Sequence, residues 1–210
     1  MILGYTWFEL IVLAVSILIA MSVHEAVHAY VGYMLGDTTA AEQGRLSLNP
    51  LRHVDPYMTV LLPLVTLVLF QAPILAARPV PFDPRRVRFD ELGAAMIALA
   101  GPISNLVLAV IGAFLLRFSG DNTSVGGALY IFMSLNVSLF IFNLVPIPPL
   151  DGSRVLYAFA PESIQDFMRR LEPFGLTIIF MLVLLGGFGG ILNNLNHAVL
   201  DPLFRLGLGV

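Results

Sequence analysis

Long apolar runs separated by short polar loops dominate the chain, at residues 7–34, 57–77, 92–117, 127–149 and 174–193, with a weaker amphipathic stretch at 195–208. Each of the five approaches the roughly 20 residues a helix needs to cross a bilayer core. The pattern predicts an all-α polytopic membrane protein, about five membrane helices in one membrane-embedded domain over 1–210. The first run has no basic leader and no small-residue cleavage site at its end, so it is expected to be retained as a helix. Only "VPFDPRRVRFD" at 80–90 alternates apolar and polar positions between prolines. That pattern predicts a small interfacial β-hairpin or edge strand, an edge that could hold an extended peptide by β-addition.

The 57–77 run decides the topology. If it crosses the membrane, the loops at 36–56 and 78–91 lie on opposite faces and the arginines divide weakly. If it enters and returns, bent at Pro63 and Pro73, the two loops share a face. Nine of the 11 basic residues then gather there, leaving Arg117 and Arg205 opposite. The positive-inside rule selects the re-entrant arrangement, with the N-terminus outside and the Arg-rich loops cytoplasmic.

Composition narrows the classes further. The chain is 58% hydrophobic and 12% charged, about half the charged fraction of a soluble domain, which implies a lipid bilayer as its surroundings. There is no basic stripe for nucleic acid. With no cysteine, disulfide frameworks and thiolate metal sites are excluded.

Against this apolar background, "SVHEAVHAY" places two histidines and a glutamate inside the first run. His24 and His28 are four apart, so on a helix they share a face one turn apart and both imidazoles can converge on one ion. Glu25 follows the first histidine, where its carboxylate can reach a metal-bound water without taking a coordination position. This is the arrangement of a zinc hydrolase, in which the ion lowers its water's pKa to about 7 and the glutamate takes the proton. Chance placement is disfavoured, because a charge at mid-membrane costs about 2.5–3.5 kcal/mol on insertion scales.

A catalytic zinc site needs a third protein ligand and an open position. His53, His197 and the carboxylates are the available candidates, and Asp151 in "FNLVPIPPLDGSRVL" is the strongest. Three prolines break the apolar run just before it, and broken helices at membrane depth occur where they are buried in protein or line a wet cavity. His24 lies about 15 Å before the end of its helix, at 1.5 Å per residue. It meets Asp151 at similar depth only if 57–77 does not cross, the same arrangement that the arginines select.

Taken together, "HEAVH", "GRLSLNPLRHVDP", "ARPVPFDP", "ALAGPISNL" and "FNLVPIPPLDGSRVL" resemble the site-2 protease family of intramembrane zinc metalloproteases, in its compact prokaryotic form without PDZ or CBS domains. The resemblance covers about residues 20–175. It implies one Zn²⁺ per chain held by His24, His28 and Asp151, with Glu25 as general base. It further implies membrane-tethered proteins or peptides with a transmembrane segment as substrates, and a prokaryotic cell membrane as the location.

Asn143 opens the N-x-x-P motif and is a candidate donor to a scissile carbonyl or developing oxyanion, or to carbonyls freed by the prolines. Asn105, in "AGPISN" among small residues, reads chiefly as a packing amide, with an accessory role at the site as the alternative. His53 and Asp55 in "LRHVDP" are a possible accessory pair, and His197 lacks a partner at ligand spacing. "GGFGG" at 186–190 suggests close helix packing or a hinge.

The competing functions are a metal-ion transporter, which would repeat ligands along a path, and a non-catalytic relative that binds membrane proteins. Neither gives Glu25 a task.

Overall fold

A computed structural model describes residues 6–52, 81–119, 123–184 and 187–209. The first helix, α1 (Trp7–Met34), coincides with the first predicted run. It starts at a capping box: Glu9 N–H donates to Thr6 Oγ1 (3.2 Å), while the Glu9 carboxylate accepts from Thr6 N–H (2.7 Å), so two orphan donors of the first turn are satisfied reciprocally. It ends in a Schellman motif, with Gly36 at φ +104°, Gly36 N–H on the Tyr33 carbonyl and Asp37 N–H on the Gly32 carbonyl. Only glycine adopts such a φ at little cost. A short helical turn, α2 (Thr39–Glu42), follows.

The remaining helices are α3 (Asp90–Ser119), α4 (Ser124–Asn143), α5 (Asp151–Phe159), α6 (Glu162–Leu171), α7 (Gly175–Leu184) and α8 (Gly187–Leu208). Among the described residues, α1, α3 and α4 are long and apolar enough to cross a membrane. The fourth apolar run yields a helix only to Asn143, since Pro146, Pro148 and Pro149 cannot continue it. The fifth run is divided between α7 and α8, and α8 also takes in the amphipathic stretch at 195–208. At Gly189 and Gly190 an added Cβ would meet nothing within 4 Å, so close packing does not explain those glycines. The 57–77 run expected to re-enter, and with it His53 and Asp55, lies outside the described residues.

Helix α3 is central and packs against α1, α4, α5 and α8. In lipid the association of helices rests on close packing and polar contacts, which small residues permit. The buried face of α3 is accordingly small: Ala94, Ala98, Gly101, Asn105, Ala109, Gly112 and Ala113. Facing it, α1 buries Ser16, Ala20, His24, His28 and Gly32, one residue per turn at i, i+4 spacing. A second cluster, Ala109, Ala113, Leu116, Met133, Val137, Ile141 and Leu200, joins α3, α4 and α8.

Among the described residues the predicted hairpin is not formed: residues 81–83 carry no regular structure, Pro84–Arg86 form a 3₁₀ turn and Asp90 begins α3. Pro81 and Pro84 have no N–H to offer a ladder, and neighbouring donors are taken by the end of α1. Asp83 N–H donates to Asp37 Oδ2 at 2.9 Å and Arg88 N–H to the Leu35 carbonyl at 2.8 Å. Arg86 adds an ion pair to Glu42 at 3.0 Å. The Arg85 side chain and backbone N–H hold the half-buried Asp83 carboxyl below its usual value. The segments 37–42 and 83–88 therefore lie against each other.

Gly112 gives α4 its close approach, since a Cβ there would come 2.7 Å from Met133 Cγ. Gly112→Leu is expected to cost about 1–3 kcal/mol by overpacking, measured as a lower unfolding midpoint of the detergent-purified protein.

Candidate metal centre

The site is assembled from three places in the chain. His24 and His28 occupy successive turns of α1, and Asp151 stands in the first turn of α5. Their ligand atoms lie within 4.8 Å of one another, the one such His/Asp/Glu group among the described residues. Asp151 Oδ2 is 3.2 Å from His24 Nε2 and 3.3 Å from His28 Nε2, and the two Nε2 atoms are 2.9 Å apart.

Each imidazole is held from behind. His28 Nδ1 donates to the Ile97 carbonyl at 2.7 Å, and His24 Nδ1 lies 2.6 Å from Asn105 Oδ1. A carbonyl oxygen can only accept, so His28 carries its proton on Nδ1 and turns the Nε2 lone pair toward the centre. The acceptor lies where the helix ladder is interrupted: Pro102, inside α3, removes the bond to the Ala98 carbonyl and crowds that turn.

Asp151 is placed by its loop. Leu150, just before it, is the N-cap of α5, with its carbonyl accepting from Ser153 N–H (3.0 Å) and Ser153 Oγ (2.7 Å). A Cβ on Gly152 would come 2.1 Å from the Leu144 carbonyl oxygen, and one on Gly175 equally close to that of Pro148. Two glycines thus let α5 and α7 close onto the proline-rich loop and fix the height of the carboxylate.

Buried Asp151 Oδ2 makes no hydrogen bond despite its two nitrogen neighbours, an expensive state for a carboxylate oxygen. Two neutral rings with protonated Nδ1 atoms also point lone pairs at each other across 2.9 Å. A cation among the three atoms resolves both conflicts. Adjacent ligands of a tetrahedral ion with bonds of about 2.0–2.2 Å are about 3.4 Å apart, close to the observed separations. Two nitrogens and one carboxylate oxygen form a donor set that suits Zn²⁺ and leaves a fourth position.

Glu25, the residue after the first histidine, is buried with it. Asn143 closes α4 and donates from Nδ2 to the Leu139 carbonyl at 3.0 Å, satisfying its own helix. His197 is exposed on α8 and has a partner the sequence reading did not foresee, Asp201 at 3.4 Å. Two contributors went unrecognised. Asn136 of α4 is fully buried and bonds Asn105, its signal being an amide inside an apolar span. Gly101 faces both rings: a Cβ there would lie 2.2 Å from His28 Nε2 and 2.7 Å from His24 Cε1.

Relatives of known class match this chain. The Peptidase family M50 profile matches residues 120–186. A Bacillus subtilis protein named "Putative zinc metalloprotease YwhC" is 35% identical over 204 residues, 92% of this chain and 90% of its own length. "Putative zinc metalloprotease Rip2" of Mycolicibacterium smegmatis is 28% identical over 174 residues, 80% of this chain and 64% of its own length. This chain thus spans somewhat under two thirds of that mycobacterial relative. No solved structure matches significantly. The chain belongs to peptidase family M50, the site-2 protease family. It is a zinc metalloprotease, a hydrolase built on membrane-spanning helices.

Gly101→Ala places a methyl group where the imidazoles face the centre. Zinc affinity, by chelator competition, is expected to fall at least about tenfold, whereas Gly189→Ala, with open space around it, leaves it unchanged.

Proposed function

We propose that this protein is an intramembrane endopeptidase that hydrolyses peptide bonds in the transmembrane segments of membrane-tethered proteins. The observation that carries the proposal is the convergence of His24, His28 and Asp151 between helices long and apolar enough to span a bilayer. His24 Nε2, His28 Nε2 and Asp151 Oδ2 would hold the zinc. When bound, the ion supplies Lewis-acid polarisation of a carbonyl and a water acidic enough to react near neutral pH.

The chain's own groups do the rest. Glu25 takes a proton on its carboxylate as the water oxygen attacks the scissile carbonyl carbon, then returns it to the amide nitrogen as the C–N bond breaks. The buried rings exclude bulk water. The Asp151 side chain keeps 21% exposure against 11% and 10% for the histidines, so substrate and water approach from its side. A substrate helix must be unwound there, since its backbone carbonyls are otherwise occupied.

Ten residues separate His24 from the end of α1 at Met34, a depth of about 15 Å along the helix. The Arg-bearing segments at that end contact one another: Arg86 pairs with Glu42, and Arg154 pairs with Glu172 and lies over the Phe82 ring. This supports a cytoplasmic position for them, with the site opening toward that face. The transporter reading has no second group of ligands to support it among the described residues.

Glu25→Gln is expected to lower cleavage of a transmembrane substrate in proteoliposomes by about 10²–10⁴-fold while the zinc content stays at that of the wild type. A Glu25→Gln enzyme that cleaves normally would remove Glu25 from the reaction.

A further inference from the structure

Two fully buried amides beside the site, Asn105 and Asn136, form a chain with a fixed direction. Its anchor is the Phe132 carbonyl, which can only accept. Asn136 turns Nδ2 toward it at 2.8 Å and so presents Oδ1 to α3. Asn105 meets that oxygen with its Nδ2 at 3.0 Å, and the same nitrogen lies 3.4 Å from the Ala20 carbonyl, one turn below His24 on α1. Flipping either amide would set oxygen against oxygen. The atom of Asn105 left facing His24 is therefore Oδ1, 2.6 Å from Nδ1. An amide oxygen has no proton to give, so His24 must carry its proton on Nδ1 and keep its lone pair on Nε2.

We infer that Asn136 and Asn105 form a two-amide relay that fixes the tautomer and orientation of His24, making Asn136 a positioning residue for a metal ligand it does not touch. The inference rests on the proposal that His24 holds zinc. Packing alone does not require these residues, because an aliphatic side chain of similar volume would fill the same space between spans without polar atoms to satisfy. The ring partner behind a metal-binding imidazole sets its tautomer and raises its basicity. Here that partner is neutral and is itself oriented from a third helix. His28 has no such chain, since its Nδ1 donates directly to the Ile97 backbone. The two ligands therefore differ in what holds them, and only His24 responds to a side-chain change on α4.

The test uses full-length protein in detergent, with zinc as the probe. Asn136→Leu is expected to weaken zinc binding about tenfold in chelator competition without lowering the unfolding midpoint comparably. In metal-free, ¹⁵N-histidine-labelled protein at alkaline pH, the wild type should show His24 as the Nδ1–H tautomer, and Asn136→Leu a mixture. In an Asn105→Leu background, adding Asn136→Leu should cause no further loss of affinity. Asn136→Ala serves if leucine is not accommodated. Unchanged affinity and tautomer in both Asn136 variants, or an Nε2–H tautomer of His24 in the wild type, overturns the relay and leaves the metal site standing. A wild type that takes up no zinc overturns both.

Discussion

The structure depends on a conflict of lone pairs. Two imidazole nitrogens and a carboxylate oxygen point at one small volume between helices, and none can satisfy the others when both rings carry their protons on the outward nitrogens. In water such a cluster would hydrate and disperse. Between apolar helices, desolvated donors and acceptors without partners are costly, a cost that a bound cation would relieve and against which the surrounding backbone must otherwise hold the cluster in place. Much of the helix architecture can be understood as the means of holding it.

Three constraints do that holding. The buried stripe of α1 carries small residues on either side of the histidines, so α3 approaches closely enough for Asn105 and the Ile97 carbonyl to reach the rings. Gly101 leaves room where the rings meet α3, and Pro102 breaks the ladder of that helix beside it. On the opposite side, Gly152 and Gly175 let the proline-rich loop be clamped between α5 and α7, giving Asp151 a rigid support. A site with ligands on regular, packed elements loses little entropy on binding and keeps its geometry through turnover.

Much of this was legible in the sequence because each signal rests on a rule that tertiary context cannot easily override. Histidines at i, i+4 in a helical run share a face in any fold, and three prolines before an acid must end a span there. The same reasoning failed where two physical causes leave one pattern. Gly101 and Asn105 look like packing residues, and Asn136 like any amide within a span. Only the partner across the helix interface reveals that the amides point in sequence toward His24. At 80–90 the alternation is genuine, but a ladder needs donors; Asp37 and Leu35 of the α1 terminus accept those of Asp83 and Arg88. The helices α5 and α6 went unforeseen because residues 151–171 carry no long apolar run, and α6 is amphipathic.

The most direct test of the central claim is zinc per polypeptide in detergent-purified wild type beside Asp151→Ala. The account predicts one zinc in the wild type and a large loss with the substitution, since an acid eight residues past the end of α4 completes a site begun on α1. Full zinc retention in Asp151→Ala would contradict it, placing the third ligand elsewhere in the chain.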